Sequence, residues 1–345
     1  MTRNPPGARL HAFAPPWWLR NRHLHTIWAA LRGRFLSAPA LRRVRWDTPD
    51  GDFIDVDFTD GPPGTEGNAP LLVLFHGLEG GSRSHYAVAM ARAARARGWR
   101  FALPHFRGCA GEINRLPRAY HSGDSAEIGW VLARMRREHA GAGAALYAVG
   151  ISLGGNALLK WLGEAGRAAL GQVDAAAAVS APLDLMLAGD ALGCGFNRAY
   201  SRMFLATLKK KGAQKIAMYP GSFDAAAMRR ARTLRAFDNA VTAPLHGFRD
   251  TDDYWTRASA RPLLAGIAVP TLIINALDDP FVPPAALPDR AALPACVTAE
   301  YPPRGGHVGF VSGPFPGTID WLPARVIAHF EAVMGAPRRE VIRST

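Results

Sequence analysis

Apolar runs of five or six residues alternate with longer helical segments from residue 70 onward. Such an alternation is typical of a parallel sheet whose strands are buried and joined by crossover helices. It places strands at residues 71–75, 101–104, 145–149, 175–180, 271–275 and 298–301, and helices at residues 84–97, 124–139, 155–164 and 319–333. The pattern therefore predicts an α/β protein with a mostly parallel, doubly wound sheet.

A hairpin precedes the parallel pattern. Residues 44–47 and 53–58 flank the turn-forming sequence Thr48-Pro49-Asp50-Gly51, which predicts two antiparallel strands with one face buried. The Gly- and Pro-rich segment 61–67 then predicts a surface loop.

The first 42 residues are rich in Pro, Arg and Trp and contain one short helical candidate at residues 23–31. We interpret residues 1–42 as an arm that wraps the domain. Trp17 and Trp18 follow two prolines. Adjacent tryptophans in this setting insert into a lipid interface or, more often, dock onto the protein's own core.

The alternation of strands and helices is interrupted once, between the fourth and fifth parallel strands. About 90 residues there are helical, cationic and aromatic, which is too long for one crossover connection. We interpret residues 182–262 as an inserted helical cap on a core made of residues 43–181 and 263–335, followed by a C-terminal tail at residues 336–345. A length of 345 residues suits one large domain with such an insertion.

The net charge of +13 is the unusual feature of the composition, since a hydrophobic content of 48% is ordinary for a globular protein. Only five basic residues are lysines, and an arginine excess on an alanine-rich background is also what a GC-rich coding sequence produces. Basic residues spread over several helices usually form solvated faces. Peripheral contact with anionic membrane surfaces, or attraction of acidic substrates, is the functional alternative. No nucleic-acid motif accompanies the charge, so nucleic-acid binding is the weaker option.

We expect no metal, no cofactor and a cytoplasmic protein with reduced thiols. Three cysteines lie far apart, without metal-ligand spacing: Cys109, Cys194 and Cys296. Four histidines lack ligand partners at useful spacing and are expected to be structural or exposed: His85, His105, His121 and His246. The start of the chain lacks the apolar core of a secretory signal, and no stretch reaches the roughly 18 apolar residues of a membrane span.

The best candidate for chemistry is Gly150-Ile151-Ser152-Leu153-Gly154, between a predicted strand and a predicted helix. A serine in a sharp strand-to-helix turn, with glycines that avoid collision with neighbouring elements, is the pattern of a nucleophile elbow. About one such chain in ten would carry the bare pattern by chance, so its weight depends on the rest of the chain.

A serine hydroxyl needs a base and a third group that orients the base. His307 directly follows the last predicted strand and is the candidate base. The third group is an aspartate in the loop after the strand at 271–275, where Asp279 is favoured over Asp278 because a proline follows it four residues later. Asp184, after the preceding strand, is a further candidate. The chain order Ser, Asp, His distinguishes this arrangement from the other well-known folds that carry such triads.

An oxyanion needs two N–H donors that are already in place. The backbone amide of Leu153, at a helix N-terminus, would be one. The other would come from the glycine-rich segment His76-Gly77-Leu78-Glu79-Gly80-Gly81 after the first parallel strand, and Leu78 is our choice there. No Gly-Lys-Ser/Thr follows, so this segment is not a phosphate loop.

These motifs give the chain a resemblance to the α/β-hydrolase superfamily, and more narrowly to the YheT-like family related to the ABHD1, ABHD2 and ABHD3 hydrolases. The segments that carry it are Asn21-Arg22-His23-Leu24-His25-Thr26-Ile27-Trp28, Phe75-His76-Gly77-Leu78-Glu79-Gly80, Phe106-Arg107-Gly108-Cys109, Gly150-Ile151-Ser152-Leu153-Gly154-Gly155-Asn156, Asn275-Ala276-Leu277-Asp278-Asp279-Pro280-Phe281 and Gly305-Gly306-His307-Val308-Gly309-Phe310. The resemblance implies an α/β-hydrolase fold and activity on carboxylic esters, with acylglycerols, phospholipids and acyl-CoA-dependent ester synthesis among the activities of the family.

Three functions remain open from the sequence. The first is a serine hydrolase of carboxylic esters, acting through Ser152, Asp279 and His307. The second is acyl transfer from a thioester such as acyl-CoA to an alcohol on the same residues, and the third is a binding protein that kept the fold without catalysis. Apolar residues of the predicted cap suggest a small-molecule ester with an apolar acyl group, although plain helix packing explains them equally well: Phe196, Tyr200, Met203, Phe204 and Leu205.

Overall fold

The computed structural model describes residues 12–61, 68–141 and 143–335. The predicted tail at 336–345, residues 1–11 of the predicted arm, and all but the first residue of the predicted loop 61–67 lie outside these ranges.

Eight strands within the described residues form one sheet. They are β1 (Arg42–Asp47), β2 (Phe53–Thr59), β3 (Leu71–Phe75), β4 (Arg100–Pro104), β5 (Leu146–Ile151), β6 (Ala175–Val179), β7 (Thr271–Ile274) and β8 (Val297–Glu300). Their order across the sheet is β1-β2-β4-β3-β5-β6-β7-β8. The pairs β1–β2 and β2–β4 are antiparallel, whereas the pairings from β4 through β8 are parallel. The expected fold class, a mostly parallel sheet with an antiparallel start, is confirmed.

The helices follow the strands as the periodicity predicts. They are α1 (Arg22–Gly33), α2 (His85–Ala96), α3 (Ser125–Glu138), α4 (Leu153–Ala165), α5 (Leu185–Leu192), α6 (Asn197–Met218), α7 (Ala225–Arg230), α8 (Leu234–Phe237), α9 (Ala243–Leu245), α10 (Thr251–Ala258) and α11 (Trp321–Gly335). The predicted boundaries differ from these by at most about two residues, as expected at helix ends.

Both faces of the sheet are buried. Successive side chains of a strand point to opposite faces, so each strand contributes to an apolar cluster on either side. In β3, Leu71, Val73 and Phe75 belong to the apolar cluster that includes α3 and α4, while Leu72 and Leu74 belong to the cluster that includes α2 and α11. This arrangement leaves the carboxyl ends of the parallel strands free to carry a site.

Strand β2 differs from the prediction, since all seven of its residues are buried rather than one face alone. It lies inside the sheet, and its acidic residues face partners instead of solvent. The two carboxylate oxygens of Asp57 lie 2.7 Å from Arg43 Nε and 2.8 Å from His105 Nε2. Burial acts to raise the pKa of the Asp57 carboxyl. The hydrogen bonds from Arg43 and His105 have the larger effect in the opposite direction, so the pKa of Asp57 lies well below its usual range.

The segment between β6 and β7 contains α5 to α10 and, within the described residues, no strand. It has an apolar cluster of its own, which includes Leu205, Phe223, Met228 and Phe237. The Tyr200 ring also packs edge-on against the Phe281 ring of the loop after β7, with 4.8 Å between ring centroids. The helical segment therefore rests on the loops at the carboxyl edge of the sheet.

The N-terminal segment packs against the loop before α11. Asn21 caps α1, Trp18 Nε1 donates to Gly313 O at 3.1 Å, and the Trp18 ring contacts the Trp28 ring. Trp17 remains 79% exposed, so of the two alternatives for the adjacent tryptophans, docking describes Trp18 and does not describe Trp17. In the described parts of the chain, no helix is both long and apolar enough to traverse a bilayer.

Candidate active site

Ser152 occupies the turn between β5 and α4, with a φ of +52° and a ψ of −118°. This left-handed conformation is rare for a residue with a side chain and stores strain that the surrounding packing must hold. A Cβ at Gly150 would lie 2.5 Å from Gly154 O, and a Cβ at Gly154 would lie 2.5 Å from Phe75 O. Both positions therefore require glycine, because a side chain at either one would collide with the backbone of a neighbouring element.

The structure brings Ser152, Asp279 and His307 together. Ser152 Oγ lies 3.0 Å from His307 Nε2. On the other side of the imidazole, Nδ1 lies 2.9 Å from Asp279 Oδ2 and 3.1 Å from Asp279 Oδ1. Asp279 is only 2% exposed, so its carboxylate meets the ring away from bulk solvent.

The three candidate aspartates have different partners. Asp279 Oδ1 accepts backbone N–H groups of Phe281 at 2.8 Å and Val282 at 3.2 Å, which fixes the carboxylate toward His307. Asp278 Oδ1 instead accepts the Gly306 N–H at 2.9 Å, and burial raises the pKa of this carboxyl. Asp184 caps the N-terminus of α5 and pairs with an arginine of the loop before β7. Only Asp279 of these three contacts the imidazole.

Residues of α1 and α2 hold the His307 loop in place. Thr26 Oγ1 accepts the His307 N–H at 2.9 Å, and His85 Nε2 lies 2.9 Å from Val308 O. Burial lowers the pKa of His85 to about 4. The Phe281 ring covers the imidazole, with 4.3 Å between the ring centroids. Sequence reasoning missed Thr26, because the Asn21-to-Trp28 segment gives no indication of which distant residue it contacts.

The two amides expected to bind an oxyanion lie beside Ser152. Leu153 is the first residue of α4, and a Cβ at Gly77 would lie 3.2 Å from the Ser152 Cβ, so the segment with Leu78 passes next to the serine. Leu78, Leu153, Ser152 and His307 line the same cavity. Within the described residues, neither the Leu78 N–H nor the Leu153 N–H donates to a protein acceptor. Both groups are thus available to a ligand.

The cavity above Ser152 has a volume of about 120 Å³. Its walls are mainly apolar and come from the core loops and from the helices between β6 and β7, including Leu185, Leu192, Phe204, Leu208, Leu234, Phe237, Trp255 and Val282. Of the predicted apolar stripe, Phe204 lines the cavity, whereas Phe196 and Met203 are 56% and 66% exposed. His121, expected to be structural or exposed, also lines the cavity, and burial lowers its pKa to about 4.

Several known proteins are similar to this chain in sequence, and others are similar to it in fold. A family model described as alpha/beta hydrolase fold matches residues 70–314. YheT of Escherichia coli (strain K12) is 41% identical over 317 residues, 91% of each chain. Phospholipase ABHD3 of Mus musculus is 30% identical over 90% of this chain and 78% of that protein. The solved Pyrococcus furiosus esterase Pf2001 shares the fold, with a TM-score of 0.54 at 14% identity over 86% of this chain and 94% of the esterase.

Within the part of the chain that the structure describes, no group of three or more His, Cys, Asp or Glu side chains is arranged to hold a metal ion. The acid, base and hydroxyl described above stand at the ends of β7, β8 and β5, on one edge of the sheet. This geometry, the match over residues 70–314 and the extended similarity to YheT together lead to one conclusion: the chain belongs to the α/β-hydrolase family and, within it, to the YheT-like group related to ABHD3.

Proposed function

We propose that this protein is a serine hydrolase that cleaves carboxylic esters through an acyl-enzyme on Ser152. The observation that carries the proposal is the continuous line of contacts from Ser152 Oγ to His307 and on to Asp279, with separations of 3.0 Å and 2.9 Å. These are hydrogen-bonding distances between a hydroxyl, a base and a group that orients the base. The names of two relatives, phospholipase ABHD3 and monoacylglycerol lipase of Saccharomyces cerevisiae, point to ester substrates.

The first step is attack of Ser152 Oγ on the ester carbonyl carbon. Asp279, a carboxylate, only accepts hydrogen bonds, so it selects the His307 tautomer with the proton on Nδ1. Nε2 of His307 then has a free lone pair, and it takes the serine proton as the Oγ–C bond forms. The imidazolium that results is stabilised by the Asp279 carboxylate.

The carbonyl oxygen becomes an oxyanion in this step. The N–H groups of Leu153 and Leu78 bind it, and the positive end of the α4 dipole adds to the stabilisation. Loss of one such donor costs about 3 kcal/mol in transition-state free energy. Collapse of the intermediate breaks the ester C–O bond, and His307 returns its proton to the departing alcohol. Water, deprotonated by His307, then releases the acid and restores Ser152.

The substrate is a small ester with an apolar acyl group, which the apolar cavity favours. A cavity of about 150 Å³ holds a benzene ring, so the 120 Å³ space suits an acyl chain of about four carbons. We assign the cavity roof to a cap at residues 182–262 and the protein to the cytoplasm. The reaction as written uses no cofactor.

A fluorophosphonate probe tests the proposal, because it reacts covalently with an activated serine. We expect the wild type to be labelled at Ser152 and to hydrolyse p-nitrophenyl butyrate, and Ser152→Ala to do neither. Ser222→Ala is the matched control, since the Ser222 hydroxyl has no hydrogen-bond partner in the described structure and does not line the cavity.

Equal labelling of the wild type and Ser152→Ala would overturn the proposal, and so would a wild type without labelling. Product analysis separates hydrolysis from acyl transfer. If acyl-CoA and an added alcohol give a new ester and no free acid, the function is acyl transfer.

A further inference from the structure

The segment that carries Leu78 is tied to α6 by a small polar cluster outside the reacting groups. Glu79 Oε1 accepts hydrogen bonds from Lys211 Nζ and from the Tyr120 hydroxyl, each at 2.7 Å. The same Tyr120 oxygen accepts the Glu79 backbone N–H at 2.9 Å. Glu79 is therefore held at its backbone and at its side chain by one hydroxyl, and at its side chain by one ammonium group.

The backbone of Glu79 needs such an anchor. Its φ is +55°, in the left-handed region that residues with a Cβ rarely adopt. The N–H of Leu78 belongs to the Gly77–Leu78 peptide, whose carbonyl oxygen accepts the Gly80 N–H at 2.9 Å, so Leu78 and Glu79 are the two central residues of one tight turn. Relaxation of Glu79 away from its positive φ opens this turn and lets that peptide rotate. An anchor on Glu79 thereby controls the direction in which the Leu78 N–H points.

Lys211 is well matched to this role. The Glu79 side chain is 9% exposed and the Lys211 side chain 25% exposed, so water screens the pair only in part. Lys211 Nζ also lies 3.2 Å from Cys109 Sγ, and burial raises the pKa of the Cys109 thiol to about 11, which keeps that sulfur neutral. The charge of Lys211 is thus compensated by Glu79.

We propose that Glu79 and Lys211 form a positioning pair that directs the Leu78 N–H toward the oxyanion through the direct contact between their side chains. The inference rests on the proposed ester hydrolysis. Neither side chain touches reacting atoms, since both act through the backbone at Leu78. Because Lys211 belongs to α6, this contact joins the segment with Leu78 to α6.

Two other lysines of α6 serve as controls. Lys209 Nζ donates to Arg229 O at 2.8 Å, a contact between α6 and α7. Lys215 Nζ donates to Asn114 O at 2.7 Å and is 3% exposed, so it anchors α6 to a core loop that does not carry Leu78. Lys209→Met therefore tests loss of an α6 charge together with a contact to α7, and Lys215→Met tests loss of an α6 charge together with an anchor on the core; neither change touches the segment with Leu78.

The experiment measures kcat and KM for p-nitrophenyl butyrate with the full chain and its variants. Lys211→Met and Glu79→Gln should each lower kcat by about 10- to 100-fold and leave KM within about threefold, because a misplaced donor acts mainly in the transition state. The double variant should be no worse than the poorer single variant, since the two residues act as one unit. Lys211→Arg should recover most of kcat.

A trifluoromethyl ketone, which forms a tetrahedral adduct on the serine, gives a second measurement. Its affinity should fall by the same factor as kcat in Lys211→Met. Lys209→Met should keep kcat within about twofold, and Lys215→Met should lower the melting temperature while keeping kcat within about threefold. Circular dichroism confirms that each variant is folded, and Glu79→Gln, which retains an acceptor of similar shape, covers the case in which Lys211→Met does not fold.

The outcomes separate the two proposals. A wild type without labelling at Ser152 overturns the proposed function and this inference with it. A labelled wild type with unchanged kcat in Lys211→Met and Glu79→Gln overturns the inference alone. It is also overturned if Lys215→Met loses as much kcat as Lys211→Met, because general seating of α6 then explains the loss.

Discussion

Replacing Asp279 by asparagine tests the proposed roles of the acid and the base most directly. Asp279 Oδ1 accepts two backbone N–H groups, those of Phe281 and Val282, while Oδ2 makes the shorter contact with His307 Nδ1, 2.9 Å against 3.1 Å for Oδ1. An asparagine at this position must keep its carbonyl oxygen toward the two N–H groups. Its NH₂ group then takes the place of Oδ2 and faces His307 Nδ1.

This orientation selects the wrong imidazole tautomer. An NH₂ group donates, so Nδ1 of His307 must accept and the ring proton moves to Nε2. Nε2 can then no longer take the proton of Ser152. A wrong tautomer of this kind lowers kcat by about 10⁴-fold, equivalent to about 5.5 kcal/mol in the activation free energy.

The assay is kcat/KM for p-nitrophenyl butyrate at pH 8, together with the rate of fluorophosphonate labelling. Asp278→Asn is the matched control, because its retained oxygen can still accept the Gly306 N–H that Asp278 accepts now. We expect Asp278→Asn to stay within about tenfold of the wild type, since one hydrogen bond is weakened and none reverses. Thermal unfolding of both variants checks that each is folded.

Two results would refute the reasoning. Asp279→Asn within tenfold of the wild type would mean that the imidazole does not depend on this carboxylate. Equal losses in Asp278→Asn and Asp279→Asn would mean that the pair of aspartates, and not the contact to His307, is what matters.

Four further expectations follow from the same structure. Thr26→Val, which removes the acceptor of the His307 N–H, should lower kcat about tenfold through a displaced His307 loop, while Thr26→Ser should retain activity in the same assay. Gly154→Ala should destabilise the fold by about 2–3 kcal/mol in urea unfolding, or prevent folding, because its Cβ meets backbone oxygens at 2.5 Å and 2.6 Å. Burial lowers the pKa of His76 to about 3 from 6.5, so its stabilising contribution is present at neutral pH and is lost as pH falls from about 6.5 toward 3. The loss is up to about 5 kcal/mol, and His76→Asn should flatten the pH dependence of urea unfolding; an unchanged slope would contradict it. Activity should be at least about tenfold higher on p-nitrophenyl butyrate than on the laurate ester, and an equal rate on both would show that the cavity does not limit chain length.

The strands and helices were predictable because burial in a parallel sheet leaves a local signature. The fully buried run of β3 reads as five consecutive apolar residues, and α3 and α4 follow their strands with the helical period. The prediction was wrong for β2, where Asp55 and Asp57 resemble solvent-facing positions. Their partners Arg45 and Arg43 are on the neighbouring strand, and alternation along one strand does not show what lies across from it.

The amino-acid pattern is enough to predict the parallel sheet and the kinds of side chain that follow its strands. Parallel strands end on the same side, so Ser152, the Asp278–Asp279 pair and His307, each placed just after a strand, had to lie near one another. Which aspartate meets the imidazole depends on the folded loop, since the side chains of adjacent residues point in different directions. The tertiary structure also decided that Thr26, from the opposite end of the chain, supports His307, and that Lys211 reaches Glu79. Such contacts depend on how packed elements are placed relative to one another, and no repeating pattern along the sequence reports that placement.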